Sequence, residues 1–123
     1  MTVERLTRFN QAWADGDVEQ LMTYMTEDCV YSASVGPEPG ETFIGPDEVR
    51  RGFEEMLAHD ADGEGRTGRV WVAGDVGVAE WSYVFTREDG REYEVPGCDL
   101  FHFRGDRIAV KDAYRKTFPP AGG

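Results

Sequence analysis

The chain has 123 residues, with 24 Asp or Glu against 13 Lys or Arg, a formal net charge of −11 at pH 7. A surface this negative repels DNA, RNA and anionic lipid, which argues against a phosphate-backbone or membrane-surface binder. With 40% hydrophobic and 12% aromatic residues, it has enough apolar area for one folded core without metal or disulfide staples.

From the N-terminus, Leu6, Phe9 and Trp13 recur at helical spacing, Thr2 is placed to cap, and Asp15-Gly16-Asp17 stops the run, so the first element is an amphipathic helix. A second helix is predicted from Asp17, with Gln20 completing a capping box and Leu21, Met22 and Met25 on its buried face. Residues Cys29 to Val35 read as a strand ended by Gly36-Pro37-Glu38-Pro39-Gly40. A third helix follows from Gly45-Pro46-Asp47 to about His59, burying Val49, Phe53, Met56 and Leu57.

After a glycine-rich acidic loop, Asp60 to Gly68, the pattern changes to period two. Strands are predicted at Arg69–Ala73, Val76–Thr86, Tyr93–Phe103 and Arg107–Thr117, and their short turns make them an antiparallel meander. The expected class is α+β: one domain over residues 1–118, three helices packed in a curved, mostly antiparallel sheet, then a short tail from Pro119 to Gly123. No apolar run approaches the roughly 20 residues that span a bilayer, and the start lacks the apolar stretch of a secretory signal. A cytoplasmic protein with no membrane and no nucleic-acid partner is the expectation, and Cys29 and Cys98 read as two buried thiols.

Several motif matches do not survive their context. Gly63-Glu64-Gly65-Arg66-Thr67-Gly68 fits G-x-G-x-x-G, but it follows a helix and precedes a strand, the reverse of a dinucleotide site. The calcium-loop start at Asp60 has Trp71 where a bidentate carboxylate is required. His59, His102, Cys29 and Cys98 fit no zinc spacing, so neither metal nor cofactor is implied. His102, between Phe101 and Phe103, faces outward if those rings face the core.

Asp99 stands apart, because alternation puts it on the face of Phe101 and Phe103. A carboxylate among aromatic groups has its charged form disfavoured, which makes it a candidate proton donor or base near neutrality. Its neighbour depends on the last hairpin. A two-residue turn at Gly105-Asp106 pairs Phe103 with Ile108 and sets Asp112 opposite Asp99; a three-residue turn brings Lys111 opposite instead. The apolar pattern Ile108, Val110, Tyr114 favours the first arrangement.

Ala12-Trp13-Ala14-Asp15-Gly16-Asp17, Val35-Gly36-Pro37-Glu38-Pro39, the helix start at Gly45-Pro46-Asp47 and Asp99-Leu100-Phe101-His102-Phe103 together resemble the NTF2-like superfamily, specifically its ketosteroid isomerase and SnoaL-like members, over nearly the whole chain. The resemblance implies a cone-shaped scaffold, commonly dimeric through the sheet, used by isomerases, polyketide cyclases, hydrolases, dehydratases and silent binding domains. Asp99 matches the protonated aspartate of the isomerase oxyanion hole. The general-base position falls on Ala33 and the oxyanion tyrosine on Phe9, so steroid isomerisation of the usual kind is not expected. The hydrolase and cyclase aspartate falls at Ala113, one residue from Asp112, and the resemblance favours Lys111 beside Asp99.

Pocket walls implied by the resemblance are Phe9, Trp13, Tyr31 and Phe53 from the helices and first strand, then Trp81, Tyr83 and Phe85, with Ala33 and Phe101 beside them. The expected function is cofactor-free acid/base chemistry on a hydrophobic small molecule, isomerisation, cyclisation, dehydration or hydrolysis, by Asp99 with Lys111 or Asp112. The alternative is a non-catalytic domain that holds a hydrophobic ligand or partner. A homodimer is expected in either case.

Overall fold

The computed structural model describes residues 1–117; the expected boundary at 118 and the tail 119–123 lie outside them. The first helix, α1 (Val3–Ala14), is capped by Thr2, whose hydroxyl accepts from the Arg5 amide, and it buries Leu6, Phe9 and Asn10. The short helix α2 (Val18–Met22) starts at Asp17, which accepts from the Gln20 amide as expected. Gln20 does not complete the box: its side chain reaches the Tyr24 hydroxyl at 3.4 Å.

Met25, expected on α2, begins the first strand, β1 (Met25–Ser32). That strand starts four residues early and ends at Ser32 because its partner, not its alternation, sets its limits. It runs parallel to the last strand, Met25 beside Ile108 and Ser32 beside Asp112. Polar Thr26-Glu27-Asp28 hid this start, and Asp28 is held by Thr26 at 2.9 Å and Arg104 at 2.7 Å. A three-residue edge strand, β2 (Thr42–Ile44), which local pattern did not signal, pairs with β1 before α3 (Pro46–His59). The third helix therefore follows two strands rather than lying in an N-terminal helical block.

The meander comprises β3 (Glu64–Ala73), β4 (Val76–Thr86), β5 (Glu92–Arg104) and β6 (Arg107–Arg115). The sheet is mixed and open, in the order β2-β1-β6-β5-β4-β3. β3 begins inside the expected loop, since Glu64 to Thr67 continue the ladder with β4. Glycines of the apparent nucleotide motif permit close approach there: a Cβ on Gly65 would lie 3.2 Å from the Tyr83 ring, and one on Gly68 would lie 2.8 Å from the Glu80 carbonyl oxygen.

Leu6, Phe9, Tyr31, Phe43, Phe53 and Phe101 form the centre of the core between the helices and the inner face of the sheet, with Phe9 edge-on to both Phe53 and Phe101. The amino terminus donates to the Gly105 carbonyl at 2.7 Å and Arg5 Nε to that of Asp106 at 2.6 Å, so α1 is clamped to the β5–β6 turn. Cys29 is buried as expected, whereas Cys98 is only partly so, because it lies on the outer face between Glu80 and Tyr114. His102 is exposed, consistent with the alternation. No helix among the described residues is long and apolar enough to cross a membrane.

Gly97 pairs with Trp81 across β4 and β5, and any Cβ there would strike the Trp81 indole and the Tyr114 carbonyl. Gly97→Ala is expected to destabilise the fold by about 1–3 kcal/mol through this overpacking, checked by urea denaturation.

Candidate functional site

Register decides what Asp99 meets. The turn is the two-residue one and Phe103 does pair with Ile108, but His102 pairs with Val110, so Ala109 is an extra residue in β6. Beyond this bulge Asp99 lies opposite Ala113 and Phe101 opposite Lys111. Neither expected pairing therefore holds. Asp112 lies opposite Leu100 on the outer face and accepts from the Tyr114 hydroxyl at 3.2 Å. Lys111 shares the inner face and reaches Asp99 diagonally, Nζ to Oδ2 at 3.2 Å.

Both side chains of this pair are 4% exposed. Burial pushes the Asp99 carboxyl above its ordinary value, opposed by Lys111 and more weakly by the Trp81 side chain. Burial likewise pulls the Lys111 ammonium below its ordinary value, opposed by Asp99. The two directions agree: burial raises the one group and lowers the other, so low polarity makes moving the proton from nitrogen to oxygen less costly than it is in water. Lys111 Nζ also lies over the ring of Trp13 at 4.1 Å and that of Tyr31 at 4.9 Å.

A second buried pair closes the other side. Arg115 Nη1 donates to Asp60 Oδ1 at 3.0 Å and Nη2 to Oδ2 at 2.5 Å, a two-pronged contact. The guanidinium stands 5.4 Å from the Trp81 ring and 5.8 Å from that of Tyr83, and the Tyr83 hydroxyl accepts from Trp13 Nε1 at 2.9 Å. Two anions face two cations, so the site is balanced within a strongly acidic chain.

Between the pairs is a cavity of about 30 Å³, room for one or two water-sized groups, which opens past the exposed Arg66 and Thr67. Among the described residues, the buried side-chain polar atoms without a hydrogen-bond partner are Asn10 Nδ2, Tyr31 Oη, Asp99 Oδ1 and Arg115 Nε. All four belong to residues that line this cavity. Burial and the nearby Asp99 charge hold the Tyr31 phenol well above its ordinary value, so it remains a donor.

Of the expected walls, Trp13, Tyr31, Trp81 and Tyr83 line the cavity. Phe9, Phe53 and Phe101 do not; they are buried in the core behind it. Phe85 lies further along the same strand face, outside the cavity lining, and stacks on Tyr93 at 5.5 Å, and Ala33 lines a neighbouring cleft of about 180 Å³ that Met56 also borders. Asn10, Asp60 and Arg115 escaped the sequence reading. Two of them had a signal: Arg115 is four residues from Lys111, on the same strand face, and Asn10 falls between Leu6 and Trp13 on one helical face. Asp60 had none, since its placement depends on how α3 ends.

The SnoaL-like domain family matches residues 6–111, most of the chain. The protein belongs to that family. An NTF2-like protein of unknown function from Mesorhizobium loti is similar to this SnoaL-like domain at 24% identity and a TM-score of 0.74, covering 93% of this chain and 89% of its own. A Catenulispora acidiphila protein with a ketosteroid isomerase-like fold, solved in complex with trimethylamine, gives 0.68 at 24% identity over 93% and 86% of the two chains. A Jannaschia protein described as a SnoaL-like polyketide cyclase gives 0.74 at 17% identity over 93% and 84%. At such identities the likeness establishes the fold alone. No curated protein matches the chain.

Removing one partner of the buried pair tests its geometry. Lys111→Met is expected to cost about 3–5 kcal/mol at pH 7, and Asp99→Leu with Lys111→Met to recover most of that. Asp99 is raised in the folded state, further still without Lys111, so the mutant's folded form keeps a proton that the unfolded form, near 3.8, has lost. The mutant's deficit is thus full at neutral pH and shrinks as pH falls toward 3.8, which chemical denaturation across pH measures.

Proposed function

We propose that this SnoaL-like domain is a cofactor-independent acid/base enzyme acting on a small, largely apolar carbonyl, enol or epoxide compound, with Asp99 as the proton-carrying group. One observation carries the reading: Asp99 lines the cavity and is buried against Lys111, while its other oxygen, Oδ1, is buried with no hydrogen-bond partner. A buried acceptor left unpaired in the fold costs stability, and a ligand group that satisfies it recovers that cost on binding.

In this mechanism the acid form of Asp99 donates to an oxygen of the substrate, and the Lys111 amine or the resulting carboxylate takes a proton from an adjacent carbon or from water. Asn10 Nδ2 and Tyr31 Oη supply further donors for developing negative charge. The walls of Trp13 and Trp81 exclude water from the reacting groups. With about 30 Å³ between the pairs, only the reacting end of a substrate enters, and its apolar body rests toward the mouth. Aromatic faces in the cavity already carry Lys111 and Arg115, so a cationic guest such as trimethylamine, bound by the Catenulispora acidiphila relative, is disfavoured here.

Exchange of α-protons for deuterium in a panel of short ketones and cyclic enones, followed by NMR, measures this chemistry directly. The native protein is expected to catalyse exchange of at least one panel member, and Asn in place of Asp99 to slow it by about 100-fold or more while circular dichroism stays native. Equal rates in the two proteins would sink the assignment. Binding without turnover is the second reading, favoured by Ala33 and Phe9 where the isomerase base and tyrosine would stand. Thermal stabilisation by panel compounds with no exchange would select it.

We also propose a homodimer through the outer sheet face. Trp71 at 47%, Leu100 at 39% and Tyr114 at 53% exposure crowd that face, and such an apolar patch is a docking surface when rimmed by polar groups. Leu100→Lys with Trp71→Glu is expected to shift the sedimentation mass from dimer to monomer.

A further inference from the structure

We propose that Lys111 is a nucleophile that forms a Schiff base with short-chain aldehydes and ketones entering the cavity. The inference rests on the reading of this cavity as a reaction site, and adds a covalent step to it.

Residue choice is the first argument. The chain has two lysines, Lys111 and Lys116, among its 13 basic residues, the rest being arginine. At the neighbouring buried pair the cation is Arg115, held in a fork by Asp60. An arginine serves an ion pair at least as well and never gives up its proton, whereas an amine can. The structure thus has a deprotonatable cation at the one cavity position where a neutral nitrogen would be useful.

Placement is the second. Lys111 Nζ lies at the cavity wall, screened from solvent by Trp13 and Tyr31, in the desolvated setting that turns a lysine amine into a nucleophile. Asp99 at 3.2 Å is the acid that such a reaction needs. The proton passes from the ammonium to the Asp99 carboxylate. The amine lone pair then attacks the carbonyl carbon; a C–N bond forms, the C=O π pair moves to oxygen, and a proton moves from nitrogen to that oxygen, giving a carbinolamine. Asp99 next protonates the hydroxyl, the C–O bond breaks and water leaves. The products are a protonated imine on Lys111, the Asp99 carboxylate as its counter-ion and one water, so atoms and charge balance without any oxidant or reductant.

Asn10 Nδ2 and Tyr31 Oη, the unpartnered donors on the same cavity, suit the oxygen of the carbinolamine. The volume of about 30 Å³ restricts the guest to a carbonyl with small substituents.

Incubation of the native protein with acetaldehyde and cyanoborohydride at pH 7, then peptide mass mapping, tests the proposal. Reductive alkylation is expected at Lys111 about tenfold or more faster than at the exposed Lys116. Modification of Lys116 and the amino terminus with Lys111 untouched, or equal rates at the two lysines, overturns the proposal. Exchange lost in Asp99→Asn with no Lys111 adduct in the native chain overturns the nucleophile alone, while an adduct with exchange unaffected by Asp99→Asn overturns the acid/base reading alone.

Discussion

A carboxylate and an ammonium held 3.2 Å apart, each almost out of reach of water, set the terms for the rest of this molecule. Burying two opposite charges is costly even when they pair, and hydrophobic residues of the same size would fill the space at less expense. The fold tolerates the pair by giving the cation two aromatic faces, Trp13 and Tyr31, and by placing a second balanced pair, Asp60 with Arg115, across the cavity. Among the described residues, the buried side-chain groups that remain unsatisfied all belong to residues that line the same space. A polar cluster that is neutral as a whole yet individually under-satisfied is what the proposed function builds on, since a ligand with the right donor and acceptor would complete it.

Several elements converge to hold that arrangement. α1 contributes Asn10 and Trp13, β1 Tyr31, the end of α3 Met56 and Asp60, and the meander Trp81, Tyr83, Asp99, Lys111 and Arg115 among others. The clamp from Met1 and Arg5 onto the β5–β6 turn ties α1 to the hairpin that bears Asp99 and Lys111. Gly97 lets the Trp81 indole lie flat across β5, and that indole in turn faces Arg115 and Asp99. A change in any one of these supports moves a wall of a space only large enough for one or two small groups.

Membership of the SnoaL-like family accounts for the scaffold and leaves the chemistry to the residues. Here Ala33 and Phe9 replace groups that the isomerase resemblance implies, while Asn10 and Tyr31 bring other donors to the cavity.

Much of this was legible in the residue order. Local alternation suffices to place Asp99 inward beside Phe101 and Phe103, to bound β4 at Val76 and Thr86, and to turn His102 outward, because side-chain direction in a strand depends only on parity. Capping residues and glycines likewise mark α1 and α3. Parity fails at a bulge. The extra residue Ala109 sends Asp112 to the outer face and Lys111 to Asp99, and nothing local distinguishes it from the regular hairpin. The early start of β1, the edge strand β2 and the meeting of Asp60 with Arg115 were hidden for the same reason: each depends on a partner distant in sequence. The amino-acid order by itself determined the inward and outward parity of unbroken runs such as β4 and β5 and the turns that end them. Only the tertiary structure decided which of those inward groups touch, since contact across strands is set by register, and register is a property of the assembled sheet.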